Sequence, residues 1–273
     1  MRASELSRLL DGAIDAAHAA GELLASYFGR LGAAHIRAKS SPVDLASRAD
    51  DEAEHLLVRK LKNVMPTAGF VGEESADGGF PATSHCWVVD PLDGTSNYLA
   101  GLPIWSVSIA LCTDELAPLL SVVHAPLLGL TWTGRRGGGA WVDGRRMHVR
   151  RDPPGGGLGN AMIATGFPYD VQVSRRGTNI GYFARMQRRF HKIRRLGSAA
   201  IDLAYVAQGV LDGMWELKLM PWDTAAGALL IREAGGVVER IRGGAYTPGD
   251  GDLLAAATPE LLALMRSVLA GGR

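Results

Sequence analysis

At Gly69 the chain changes its hydrophobic period, and that change limits the fold more than any other feature of the 273 residues. Before it, apolar residues recur at helical spacing. Leu6, Leu9, Leu10, Ile14, Ala17, Leu23 and Leu24 follow Ser4, a residue suited to an N-cap, and Gly29 or Gly32 ends the run. A second helix is expected from about 45 to 64, with Asp and Glu in its early turns, where the helix dipole favours them. From Gly69 the apolar residues come in short runs broken by Gly, Pro and Asp, at 69–72, 85–90, 105–112, 116–123, 130–132 and 140–142. Such runs read as strands of a mostly antiparallel sheet.

The stretch 151–159 holds two prolines and four glycines, the sharpest break in composition, and marks a subdomain boundary. Residues 1–150 are read as an α+β subdomain carrying the main sheet, and 151–273 as an α/β subdomain. In the latter, strands are expected at 161–165, 212–217 and 253–257, and helices at 176–189, 198–208, 224–234 and 259–269. Near-neutral charge, 29 Lys plus Arg against 28 Asp plus Glu, argues against a dedicated nucleic-acid binder. Cys86 and Cys112 lack metal-ligand spacing and read as reduced residues in strands. The seven histidines show no such spacing either. Arg2, Glu5, Arg8 and Asp11 interrupt any leader-like apolar run, and the most apolar stretch carries His124 and two prolines. The expectation is a cytoplasmic protein without a membrane span.

Carboxylates cluster where strands end: Gly72-Glu73-Glu74-Ser75, then Asp90-Pro91-Leu92-Asp93-Gly94-Thr95, then Trp222-Asp223, with Glu216 seven residues before Asp223. Asp90 follows three apolar strand residues, at a core edge where an unpaired carboxylate is costly. Pro91 turns the chain and brings Asp93 back beside it. Two carboxylates that close repel unless a proton or cation lies between them. A hard divalent cation suits an oxygen-only site, and Mg²⁺ fits a cluster without His or Cys. Gly94-Thr95-Ser96 then offers backbone amides at a helix start, a seat for phosphate. Each cluster alone is ordinary: a turn, a solvated acidic pair, a helix cap. Their conjunction points to metal-assisted phosphoryl chemistry.

Gly72-Glu73-Glu74-Ser75, Trp87-Val-Val-Asp90-Pro-Leu-Asp93-Gly-Thr95 and Trp222-Asp223-Thr-Ala-Ala-Gly227 resemble the successive signatures of the inositol monophosphatase family. These are lithium-sensitive, metal-dependent phosphatases in a superfamily with the fructose-1,6-bisphosphatases. The resemblance implies an α+β fold, a layered α-β-α-β-α sandwich, commonly a homodimer. It implies two Mg²⁺, one held by Glu73, Asp90 and the Leu92 carbonyl, the other by Asp90, Asp93 and Asp223. Asp50 falls where the family places a ligand for a weaker third metal. Lys39 falls in the mobile loop over that site. Glu73 and Thr95 would orient the attacking water, and the Gly94 and Thr95 amides would grip the phosphate. Asp93, Ala199, Glu216 and Asp223 would contact polyol hydroxyls.

The implied reaction is hydrolysis of inositol 1-phosphate or a similar polyol or sugar phosphate. The same motifs also serve fructose-1,6-bisphosphatases, histidinol-phosphate phosphatases and adenosine 3′,5′-bisphosphate phosphatases, so the substrate stays open. With no second-phosphate site visible in the sequence, monoesters are favoured. A reading from another class concerns 185–195, where six basic residues interleave with Phe190 and His191 and suit RNA or an acidic protein. The plainer reading of that segment is a solvated face, a dimer contact, or arginines that draw anionic substrate.

Overall fold

The opening apolar stripe folds as helix α1 (Ala3–Tyr27) in the computed structural model, which describes residues 1–31, 36–38, 45–75, 79–168 and 178–271. Leu6, Leu9, Ala13, Ala16, Ala17, Ala20 and Leu24 are buried along one face, as a helix laid on a sheet requires. Ser4 does not cap it. The cap lies two residues earlier, with Arg2 at the N-cap position and no side-chain bond there; at so exposed an end, water can serve the first amides. Residues 45–47, expected as a first helical turn, instead form strand β2 (Leu45–Ser47), paired antiparallel with β1 (Ile36–Ala38). Helix α2 (Arg48–Val64) begins behind a reciprocal cap: Ser47 Oγ accepts from the Ala49 amide while the Asp50 carboxylate accepts from the Ser47 amide. That cap fixes the start and holds the preceding residues extended.

The short apolar runs form one seven-stranded sheet in chain order: β3 (Gly69–Gly72), β4 (His85–Asp93), β5 (Ser106–Thr113), β6 (Pro118–Ala125), β7 (Leu130–Arg135), β8 (Gly139–Val142) and β9 (Arg145–Met147). Only β3 and β4 pair in parallel. Helix α3 (Thr95–Ala100) links β4 to β5. Leu116, expected inside a strand, has φ +57 and sits in the turn before β6, its amide donating to the Thr113 carbonyl. The second half supplies β10 (Met162–Thr165), helix α4 (Ile180–Arg189), β11 (Lys192–Arg194), helix α5 (Ala199–Gln208), β12 (Gly213–Glu216), helix α6 (Pro221–Glu233), β13 (Val237–Arg240), β14 (Leu253–Ala256) and helix α7 (Pro259–Leu269). Its mixed sheet has the order β11-β10-β12-β14-β13. The fourth helix thus starts at Ile180 among the described residues; the expected start, 176, lies outside them.

The layers follow from which faces are apolar. Trp87 and Val89 of β4 enter the core beneath α1 and α2, while Cys86 and Val88 enter the core shared with α5 and α6. A strand covered on both sides reads as an unbroken apolar run instead of an alternating one. A third core, with Ile163, Trp215, Leu254 and Met265, lies on the other sheet's far face, beneath α4 and α7. The result is an α-β-α-β-α sandwich with α5 and α6 as its central layer. Cys86 and Cys112 stand opposite each other in β4 and β5, both buried and unbridged. Among the described residues no helix is long and apolar enough to cross a membrane.

One titratable group lies in the α1–sheet contact. His124 Nδ1 and His18 Nε2 both meet Thr131 Oγ1, at 3.0 and 3.1 Å, and the two rings are 4.6 Å apart. Burial, then the neighbouring His18, lowers the His124 pKa to about 4. The folded value is below the unfolded one, near 6.5, so the unfolded chain binds the proton first on acidification. Its contribution to stability is complete above about pH 6.5 and is lost as pH falls toward 4. For a half-buried ring we expect a loss on the order of 1–2 kcal/mol across that window. Denaturant titrations at pH 7 and 4.5, native against His124→Gln, check it: the gap between the two proteins should narrow in acid, and a constant gap would refute the assignment.

Candidate active site

Strand β4 does not end at Asp90. It continues to Asp93 through a bulge, with Asp90 opposite Ser108 and Asp93 opposite Ser106 on β5. Residues three apart on a regular strand point to opposite faces. The one extra residue in the bulge corrects the parity and brings both carboxylates to one side. Carboxylate oxygens of Asp90, Asp93 and Asp223 all lie within 4.8 Å of one another. The expected approach of Asp93 to Asp90 is therefore present, made by a bulge where a turn was anticipated.

Three helix N-termini surround this cluster, and each does a different job. Asp93 is gripped by the start of α5: Ser198 Oγ donates to Oδ2 in a short bond, with the Ala200 amide at 2.9 Å, and the Ala199 amide reaches Oδ1 at 3.1 Å. Asp223 stands in the first turn of α6 and accepts the Met220 amide at 2.7 Å. Gly94 precedes α3 with φ +97, turning the Gly94 and Thr95 backbone toward the cavity. The Leu92 amide bonds Asp90 Oδ1 at 2.9 Å. Thr95 Oγ1 lies 3.0 Å from the Leu92 carbonyl and 3.1 Å from Asp50 Oδ1. Asp50 Oδ2 accepts from the Ser47 amide and hydroxyl, so Asp50 sits one hydrogen bond behind Thr95.

Asp90, Leu92, Asp93, Gly94, Thr95 and Asp223 line a cavity of about 760 Å³ with Glu73 and Glu216, while Asp50 stands behind its wall. The Glu73 amide donates to the Val89 carbonyl, tying the end of β3 to β4. Glu74 is held by its amide to Glu54, and its carboxylate pairs with Arg37. Of the sequence-derived site, Glu73, Asp90, Leu92, Asp93, Gly94, Thr95, Ala199, Glu216 and Asp223 share this cavity; Lys39 lies outside the described residues.

Burial and mutual repulsion dominate the electrostatics. Burial first, then Glu73 and Asp93, pushes Asp223 well above the usual carboxylate range. Burial also raises Asp93, against the lowering effect of its Ser198, Ala200 and Ala199 bonds. Glu216 is pushed up to about 8 by burial and by Asp93, with Arg195 pulling the other way. Oxygen-only donors packed this closely are what a hard divalent cation requires. The residues present fit Mg²⁺.

The sequence reading passed over several residues that the structure brings in. Ser198 holds Asp93; a serine directly before an apolar helix was the available signal. Asp202, 2% exposed, lines the cavity with an Oδ1 that has no hydrogen-bond partner among the described residues, and burial, Glu216 and Asp93 raise it well above its ordinary range. A lone acid inside Ala-Ala-Ile-Asp-Leu-Ala-Tyr was its trace. Phe167, in a stretch whose sequence suggested a substrate-facing loop, and Arg195, one of the arginines offered as drawing anionic substrate, complete the wall. The basic segment 185–195 is not one surface: it ends α4 and becomes edge strand β11, and Phe190 is fully buried and offers no face for a base to stack on.

Comparison with known proteins agrees with this geometry. Residues 5–270 match the model of the inositol monophosphatase family. The inositol-1-monophosphatase of Mesorhizobium japonicum is 37% identical over 262 residues, 96% of each chain. The Nus factor SuhB of Pseudomonas aeruginosa is 36% identical over 95% of each chain. The solved inositol monophosphatase of Anabaena (Nostoc) superposes with a TM-score of 0.85 at 31% identity, covering 98% of this chain and 97% of that one.

Proposed function

The chain belongs to the inositol monophosphatase family and is a phosphoric monoester hydrolase, and from that premise we propose that it hydrolyses inositol 1-phosphate, or a similar polyol or sugar monophosphate, with Mg²⁺. The observation that carries the reading is the Asp90, Asp93 and Asp223 cluster within 4.8 Å, beside the Gly94–Thr95 turn. Glu73, Asp90 and the Leu92 carbonyl would hold one Mg²⁺, and Asp90, Asp93 and Asp223 the second. Asp50, engaged with Ser47 and Thr95, would join a third only by exchanging those bonds. Bound there, the ions would supply an acidified water and neutralise charge on the phosphoryl oxygens and the leaving group.

The protein's own groups do the rest. The Gly94 and Thr95 amides hold the phosphate at the N-terminus of α3, where the helix dipole favours an anion. The Thr95 hydroxyl donates toward the Leu92 carbonyl and Asp50, which leaves its lone pairs to accept from the attacking water that it orients with Glu73. Glu216 accepts a hydroxyl of the polyol, and the start of α5 at Ala199 borders the same pocket. Fructose-1,6-bisphosphatase and histidinol-phosphate phosphatase activity are the alternatives on this scaffold. Phosphate release from inositol 1-phosphate, fructose 1,6-bisphosphate, histidinol phosphate and adenosine 3′,5′-bisphosphate tests the proposal. Turnover of a polyol monophosphate that stops with EDTA and returns with Mg²⁺ is expected; hydrolysis unaffected by EDTA would sink the metal assignment.

The second reading, RNA or an acidic protein bound at 185–195, rests on exposed Arg188 and Arg194 and on the naming of the Pseudomonas relative as a Nus factor. It lacks an aromatic platform, since Phe190 is core, and binding that falls steeply with salt is its signature.

A further inference from the structure

Glu73 follows β3, an edge strand of the seven-stranded sheet that bonds to β4 alone. On the β4 side its amide is held by the Val89 carbonyl. On the open side two groups from other elements close on the next residue, Glu74. The carboxylate of Glu54, buried in α2, accepts the Glu74 amide at 2.9 Å. The Glu74 side chain, only 6% exposed, accepts from Arg37 Nη2 at 2.8 Å.

Arg37 comes from β1 and meets a second carboxylate with the same plane. Its Nη1 and Nη2 donate to the two oxygens of Asp51, at 2.6 and 2.9 Å. Asp51 lies in the first turn of α2, directly after Asp50, whose Oδ1 meets the Thr95 hydroxyl. One guanidinium thus joins the immediate neighbours of two acids at the centre: Asp51 beside Asp50, and Glu74 beside Glu73. A single exposed ion pair adds little, because water solvates both members. A planar fork that grips one carboxylate twice and a nearly buried second one fixes directions, which a lysine cannot copy.

We propose that Arg37 is a positioning residue for the metal centre: through Asp51 and Glu74 it sets the turn that carries Glu73 against the start of α2. This role rests on the metal-dependent phosphatase reading above and deepens it. Arg37 itself touches neither metal nor substrate. Position and charge predict opposite signs for its removal. Taking a cation away from an acidic cluster makes the site more negative, which by itself tightens Mg²⁺. Releasing the brace lets the Glu73 turn move on its open side, which weakens Mg²⁺. Groups directly behind a metal ligand are worth about 10–100-fold in affinity or activity. Arg37 acts one residue further out and is partly exposed, so a loss of about three- to tenfold is expected.

The test is Mg²⁺ calorimetry on the metal-free native protein, Arg37→Ala, Arg37→Lys, Glu74→Ala and the Arg37→Ala/Glu74→Ala double variant, with phosphate release from inositol 1-phosphate alongside. Arg37→Ala should weaken Mg²⁺ by that factor and lower kcat at a fixed Mg²⁺ concentration, with the KM for the ester little changed. Arg37→Lys should recover part of the loss. The double variant should cost no more than the worse single one, since a cycle isolates the pair from whatever else each residue touches. In EDTA, amide exchange should quicken over residues 70–75 in Arg37→Ala and stay native in the sheet interior, a readout that needs neither metal nor turnover. Should Arg37→Ala fail to fold, Glu74→Ala cuts the same link from its other end. Mg²⁺ affinity unchanged or tighter in Arg37→Ala, or losses that simply add in the double variant, would overturn the proposal while native hydrolysis stands. A native protein that neither binds Mg²⁺ nor releases phosphate would instead overturn the reading beneath it, and the exchange data would still report whether the brace exists.

Discussion

Asp90→Asn should cut phosphate release by about a thousandfold or more and leave the protein folded. Asp90 is 1% exposed and lies at the centre of the carboxylate cluster, with one oxygen already bonded to the Leu92 amide. The amide keeps the shape but removes the charge that both proposed metal positions share. Loss of outer partners of a metal ligand costs about 10–100-fold, and loss of the shared ligand should exceed that. Initial rates at saturating Mg²⁺, Mg²⁺ calorimetry and melting in EDTA together check this. Activity within tenfold of native would remove Asp90 from the centre of the chemistry.

Gly94→Ala should be the most damaging substitution that removes no functional group. Gly94 holds φ +97, outside the range an alanine adopts without strain, and an added Cβ would fall 3.0 Å from the Ile104 carbonyl and 3.2 Å from that of Gly197. Both obstacles are backbone. The strain costs on the order of 1–3 kcal/mol, and relief requires the start of α3 to move away from the site. A displacement of about 1 Å at a reacting group costs about a hundredfold in rate. Gly29→Ala is the control: φ is +71 with no atom of the described residues within 4 Å of the added carbon, so it should lose a little stability and no activity. If Gly94→Ala matches that control, the amide cradle is not where the phosphate sits.

Much of the architecture was legible because it lies in buried elements. α1, β4, β5, β6 and α7 have both the length and the apolar content that burial demands, and their periods appear directly in the chain. The unanticipated strands, β9, β11 and β13, are all sheet edges of three or four residues. With a neighbour on one side only, an edge strand can carry Arg145-Arg146 or Lys192 without penalty, so no apolar pattern betrays it. Likewise 45–47 read as helix because its side chains suit one, and only the Ser47–Asp50 cap and pairing with β1 made it a strand.

By itself the sequence determined the local chemistry: which carboxylates follow apolar strands, that no His or Cys joins them, and that an amide-rich turn comes next. Tertiary structure alone decided how those pieces meet. The bulge between Asp90 and Asp93 sets on which face each carboxylate points, and strand pairing with Ser106 and Ser108 creates it. Asp93 finds Ser198 across 105 residues of chain, Asp202 becomes a buried acid, and Arg195 alone of its basic run turns into the cavity wall. Periodicity and turn chemistry act over a few residues and so can be read along the chain, whereas burial and charge compensation depend on neighbours that only the packed layers bring together.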